Sequence, residues 1–201
     1  MRFFMLKYSV ERKILRIASV VICAFWLVFI LFIVNKGLIK RYEYPLKYKE
    51  EIISVSNAFG FESALIFSMV KTESSFNEKA QSKKGAKGLM QLLDSTAKFV
   101  AEMQGVEKYD IFNVQTNLSF GCCYLKYLSK KFTNLKTAIV AYNAGEGNVN
   151  EWLKNKEYSK DGRNLIKIPY KESEEYLEKI EKSLSNYKKL YKNILDKGKT
   201  F

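Results

Sequence analysis

Apolar residues divide the chain into two unlike parts. Residues 17–34, IASVVICAFWLVFILFIV, carry no charge. A helix rising about 1.5 Å per residue spans roughly 27 Å over that run, close to the roughly 30 Å core of a bilayer. A soluble core helix is rarely apolar on every face for so long. A secretory leader is the rival reading, but its apolar region is usually about 7–15 residues and ends at a small-x-small cleavage site. Here the run ends FIVNKGLIK, with no such site. The pattern predicts an uncleaved transmembrane anchor over 17–34, preceded by a basic segment at 1–16 and followed by a connector at 35–49 that contains Pro45.

From about residue 50 onward, apolar positions recur at three- and four-residue steps and no sustained period-two alternation appears. A mainly α domain is therefore predicted over 50–195, with a short tail at 196–201. YKEEIISVSNAFG closes at Gly60, a C-cap candidate. ESALIFSMVKTESSF is the next helix, and DSTAKFVAEM follows with Asp94 or Ser95 able to cap its start. NLSFGCCYLKYLSKKF places Leu118, Cys122, Leu125 and Leu128 or Ser129 on one face, and LKTAIVAYNAG ends at Gly145. The last helix, over 173–195, carries Tyr176, Ile180, Leu184, Tyr187, Tyr191 and Ile194 on one stripe.

Composition narrows the chemistry. The 201 residues suffice for one domain plus an appendage, and a 47% hydrophobic content builds a core. Of the net charge of +13, residues 1–39 supply +5 (six Lys/Arg and one Glu), leaving +8 on residues 40–201. A basic surface favours nucleic acid, anionic lipid or an anionic wall polymer. The lysines are scattered along helical patterns and no nucleic-acid signature is present, so solvated surface lysines explain the charge as well as any partner does. The chain has no histidine, which excludes a Ser-His-Asp triad. Cys23 lies in the apolar run, and Cys122 and Cys123 are neighbours; with no separated Cys pair, a zinc site is not expected. Five Lys/Arg precede the apolar run and five follow within fifteen residues, so the positive-inside rule gives no orientation.

One carboxylate stands out. Ile66, Met69 and Val70 precede Glu73 at helical spacings, which places an acid on an apolar stripe. Desolvation raises the pKa of such a group and lets it serve as a general acid near neutrality. The plain alternative is a carboxylate near a helix end that turns into solvent. Next comes SKKGAKGLMQ, whose glycines permit positive φ or close backbone approach beside a cleft. In it, Gln91 is suited to hydrogen-bonding a sugar or amide, and Met90 to covering the apolar face of a sugar ring. AYNAG brings Tyr142 and Asn143 to a helix end, although Tyr142 alone reads equally well as a core aromatic.

Taken in order, ESSF at 73–76, AQSKKGAKGLMQL at 80–92, NLSFGCCYL at 117–125, AYNAG at 141–145 and IPYKESEEYLEKI at 168–180 closely resemble the catalytic domain of the soluble-lytic-transglycosylase family, in the lysozyme-like superfamily. The resemblance spans about residues 50–190. It implies a lysozyme-like fold, Glu73 as the single catalytic acid, and Ser82 as a residue orienting the acid or the substrate. It further implies that Met90 and Gln91 line the cleft, that Tyr142 and Asn143 flank the acid, and that Glu172 and Tyr176 belong to a closing segment. The implied substrate is the glycan strand of peptidoglycan, cut between N-acetylmuramic acid and N-acetylglucosamine to leave a 1,6-anhydro product, with no metal or cofactor. An extracytoplasmic substrate would put the N-terminus in the cytoplasm and residues 40–201 outside the cytoplasmic membrane, where cell-envelope machinery is a possible partner and nucleic acid is not.

The sequence also departs from the family pattern. Asp94 stands where proline is common, Glu146 replaces the proline usual after AYNAG, and Cys122 and Cys123 occupy positions usually small or apolar. A muramidase that hydrolyses the same bond would need a second carboxylate near the cleft, for which Glu146 and Glu172 are the candidates. A non-catalytic glycan-binding scaffold would ordinarily lack the acid, which this chain retains.

Overall fold

A computed structural model describes residues 2–195. The chain divides between Pro45 and Leu46 into two compact units. The first is dominated by α1 (Arg2–Glu43), a continuous helix that extends beyond the apolar run at both ends. Within it, Ala18–Glu43 is long and apolar enough to cross a membrane. Large side chains from Val20 to Val34 are more than two-fifths exposed. Because α1 runs on to Glu43, only a short non-helical stretch separates it from the next helix.

The second unit is built from α2 (Lys49–Phe59), α3 (Ser63–Ser74), α4 (Asp94–Gln104), α5 (Val114–Lys131), α6 (Leu135–Ala144), α7 (Glu146–Lys154) and α8 (Lys171–Leu195). Among the described residues there is no β-strand, only two isolated backbone bridges, Gln81–Lys87 and Lys87–Leu92, that pinch the loop between α3 and α4. Gly60 closes α2 at φ 72°, a left-handed conformation that glycine adopts without steric cost. Asn113 caps α5 by accepting from the Thr116 amide, and Asn134 caps α6 by accepting from the Lys136 amide. At α4 the cap position belongs to Leu93 instead of Asp94 or Ser95. Asp94 sits in the first turn, where its carboxylate faces the positive helix end and accepts from Lys87 Nζ at 2.7 and 2.9 Å.

Helix α3 is the spine of the unit. Ser63 through Val70 are all buried, so the helix is enclosed on every side and only its last turn emerges. The amphipathic stripe expected from Ile66, Met69 and Val70 is one face of a fully covered helix. It packs along α8 and against α2, while α5 packs against α2, α4 and α6. Leu118, Cys122, Leu125 and Leu128 form the buried face of α5, as their spacing predicts. In α8, Tyr176, Ile180, Tyr187 and Tyr191 are buried, but the inward positions then shift. Tyr191 has non-helical φ/ψ (−132°, 21°), and beyond it Leu195 is buried while Ile194 is 42% exposed. Tyr187, Tyr191 and Leu195 thus follow one another at four-residue steps on the inward side, and Leu195 takes the place expected for Ile194.

Candidate active site

Glu73 lies on the last turn of α3, where the buried helix breaks out into a cavity of about 490 Å³. The residue is partly buried, with its open side on that cavity. Desolvation of the carboxyl raises its pKa from 4.5 to about 7, against the lowering effect of a hydrogen bond from Tyr176. The Tyr176 hydroxyl donates to Glu73 Oε1 at 2.5 Å, reaching across from α8, the helix that packs along α3. Near neutral pH the carboxyl therefore exists in both forms, as a group that gives and later takes a proton requires.

Besides Glu73 at the end of α3 and Tyr124 on α5, the cavity walls come from four places. The α3–α4 loop contributes Ser82, Lys83, Lys84, Ala86 and Gln91; α4 and its cap contribute Leu93 and Thr96; the end of α6 contributes Tyr142 and Asn143; α8 contributes Glu172. The loop is shaped by its own hydrogen bonds. Ser82 Oγ accepts from the Ala86 amide at 3.0 Å, and Gly85 sits at φ 83°, closing a tight turn at the cavity edge. Gln91 adopts φ 47°, and its side-chain amide donates to the carbonyls of Ala80 and Gly88. Asn143 Oδ1 accepts from the buried Ser173 hydroxyl at 2.8 Å, tying the end of α6 to the start of α8. Glu172 is exposed at the rim and lies 3.8 Å from Lys84 Nζ across it.

The structure thus gathers Glu73, Ser82, Gln91, Tyr142, Asn143 and Glu172 around one cavity, with Tyr176 immediately behind the acid. Met90 is placed differently from its expected role. Its side chain is fully buried, packed so closely on Gly121 that a Cβ there would collide with it, and it offers no surface to a sugar. Its main chain instead fixes the site: the Met90 carbonyl accepts from the Tyr142 hydroxyl at 2.9 Å, and its amide donates to Asn117 Oδ1 at 2.7 Å. Asn117 is a residue that sequence reasoning passed over. It is 1% exposed, and its amide also donates to the carbonyls of Lys87 and Ile111. One side chain so satisfies three main-chain groups of two loops. Its signal was a lone amide next to Leu118 on the inward side of α5.

Glu146 lies outside the cavity lining and is engaged by Lys131. Among the described residues no group of three His, Cys, Asp or Glu side chains gathers closely enough to hold a metal ion.

Residues 50–166 match the family described as the transglycosylase SLT domain. The soluble lytic murein transglycosylase of Salmonella typhimurium is 29% identical over 143 residues, covering 68% of this chain and 22% of that protein. The membrane-bound lytic murein transglycosylase C of Pectobacterium atrosepticum is 30% identical over 173 residues, covering 71% of this chain and 47% of that protein. In three dimensions, an inactive mutant of the lytic transglycosylase Slt from Pseudomonas aeruginosa superposes with a TM-score of 0.64 at 27% identity, over 73% of this chain and 25% of that one. The chain spans about a fifth of the soluble relative and about half of the membrane-bound one.

Proposed function

Because the chain belongs to the transglycosylase SLT domain family, we propose that it is a membrane-anchored lytic transglycosylase acting on peptidoglycan glycan strands. Glu73 in its neutral form protonates the oxygen of the β-1,4 bond between N-acetylmuramic acid and N-acetylglucosamine. The bond to muramyl C1 breaks, and the neighbouring 2-acetamido group stabilises the cationic carbon. Glu73, now a carboxylate, removes the proton from the muramyl C6 hydroxyl, whose oxygen attacks C1. The ring closes as a 1,6-anhydro sugar, the acid regains its proton, and no water is consumed.

The observation that carries this reading is the single carboxyl held near pKa 7 at the edge of the cavity. The other carboxylate on the lining, Glu172, is exposed and faces Lys84. Tyr176 takes up Oε1 of Glu73, which leaves Oε2 to handle the substrate proton. Ser82, Gln91, Asn143 and Tyr142 supply hydroxyl and amide groups suited to sugar hydroxyls and acetamido groups, and Met90 acts from behind by positioning Tyr142. The names of the soluble and membrane-bound murein transglycosylases it resembles favour the same substrate.

The apolar span Ala18–Glu43 then serves as a single-pass anchor, with the N-terminus cytoplasmic and the helical unit on the side where peptidoglycan lies. The test is digestion of purified peptidoglycan by the full chain in detergent, with a Glu73→Gln control and mass analysis of the released fragments. Anhydro fragments, absent with the variant, support the proposal. Hydrated reducing ends would replace it with a muramidase, and release that survives the substitution would remove Glu73 from the mechanism.

A further inference from the structure

The join between the apolar helix and the catalytic unit has almost no slack. Helical hydrogen bonding continues to the residue before the proline, the Tyr44 amide donating to the Lys40 carbonyl at 2.9 Å. Pro45, whose ring fixes φ, is the last residue of the first unit, and Leu46 begins the second. By Tyr48 the chain is already fixed within the second unit. Its carbonyl accepts from the Ile52 amide at 2.9 Å, and its hydroxyl donates to Glu78 Oε2 at 3.2 Å. A membrane enzyme that works on a distant layer needs a long flexible linker at this point, of the Gly/Ser-rich kind. Residues 44–48 contain neither glycine nor serine.

The residue that Tyr48 holds is also close in sequence to the acid. Glu78 follows Glu73 by five positions. Between them the chain turns through two left-handed residues, Ser75 at φ 50° and Phe76 at φ 63°, and the buried Phe76 side chain pins the turn. The tether therefore joins the unit on the segment that leaves the acid. Covalent reach alone then sets a bound. The path runs from Val34 along α1 to Glu43, through residues 44–48, and across the Tyr48–Glu78 bond to Glu73. At full stretch it is roughly 65 Å long. Lys40, Arg41 and Lys47 at the join add attraction to anionic headgroups.

We propose that this short tether confines cleavage to glycan held at the same bilayer, and that the substrate is a strand still joined through C1 of its terminal sugar to a lipid of that membrane. The inference rests on the anchored, glycan-cleaving reading above. The reaction that must supply such a strand is glycosyl transfer at the membrane surface, which extends a glycan while a lipid holds it. The cut balances without water. The bond from muramyl C1 to the oxygen on C4 of N-acetylglucosamine breaks, and that oxygen takes the proton of Glu73. The C6 oxygen of the same muramyl residue closes onto C1, and its proton returns to Glu73. The outer part of the strand leaves with a 1,6-anhydro end, and the lipid keeps a remnant that ends in a free C4 hydroxyl. On strands that stand away from the surface, the tether sets an upper length for that remnant.

For the test, the full chain is reconstituted in vesicles grafted with long lipid-linked strands, densely enough that the strands project outward. Digestion is stopped while most strands are intact, so each remnant reports a first cut. Remnants left on the lipid should be short and capped in length, and the released strands should carry the anhydro ends. Inserting about forty Gly/Ser residues between Pro45 and Leu46 adds roughly 35 Å of reach and should lengthen the remnants by about half. Unchanged cutting of free strands in detergent shows that this variant is folded. First cuts spread evenly along the strand, or remnants indifferent to the insertion, would overturn the tether. Two controls separate that result from failure of the reading beneath it: flotation of the chain with vesicles tests the anchor, and digestion of free strands in detergent tests the cleavage. Failure of either removes the proposal together with that reading, whereas evenly spread cuts by a chain that floats and cleaves refute the tether alone.

Discussion

Glu73 titrates at about 7 instead of 4.5 because the fold strips water from its carboxyl. The same displacement is a stability cost that a substitution can recover. Between the two values the folded chain holds a proton that the unfolded chain releases. Stability contributed by this group therefore falls as pH rises from about 4.5 to about 7, and is lost above that. Each pH unit is worth about 1.36 kcal/mol, so the gap sets a ceiling of about 3 kcal/mol. Because the residue opens onto the cavity, solvent reduces the recovered amount below that ceiling. Glutamine is neutral at every pH, nearly isosteric, and still able to accept from the Tyr176 hydroxyl. Glu73→Gln should thus stabilise the folded chain at pH 8 by as much as about 3 kcal/mol, or roughly 5–10 °C in melting temperature, and by almost nothing at pH 4. Urea unfolding of both proteins in detergent at the two pH values, followed by tyrosine and tryptophan fluorescence, reads the difference directly. An equal effect at both pH values, or destabilisation at pH 8, would refute a desolvated acid at this position.

Three further outcomes follow from the same geometry. Tyr176→Phe removes the bond that lowers the Glu73 pKa; the alkaline fall of the pH–rate profile should move up by about one pH unit, with a lower maximal rate. Asn117→Ala leaves the Met90 amide and the Ile111 carbonyl without their partner, while the Lys87 carbonyl keeps the Leu92 amide, and urea unfolding should report a loss of about 2–4 kcal/mol. Gly121→Val forces a side chain into the space of Met90 and should cost about 1–3 kcal/mol, of which Met90→Ala in the same chain restores a measurable part in a double-mutant cycle.

The sequence was most informative where one local rule decides the outcome. Spacing alone placed Glu73 against Ile66, Met69 and Val70, and the helix ends at Gly60 and Gly145 followed from residue type. The inward face of α5 was equally plain. Tyr176 was different: nothing local marks a tyrosine on α8 as a partner of an acid 103 positions earlier, and the family resemblance placed it only in a closing segment without pairing it with Glu73. Met90 shows the complementary failure. Its type suits a cleft, but its direction depends on Gly121 leaving room on α5, a contact between distant segments. Asn117 reads as a gap in an apolar face until the two loops it holds are seen in place. At the end of α8, three- and four-residue steps from Tyr191 admit Ile194 or Leu195 as the inward residue, and Leu195 is the buried one.

The central claim is that Glu73 drives cleavage without water, and solvent labelled with heavy oxygen tests it most directly. Peptidoglycan is digested by the full chain in labelled water, and the new muramyl ends are weighed. The account predicts anhydro ends that carry no label, and no ends at all with Glu73→Gln. Label incorporated at muramyl C1 would contradict it, showing that water and not the C6 hydroxyl attacks.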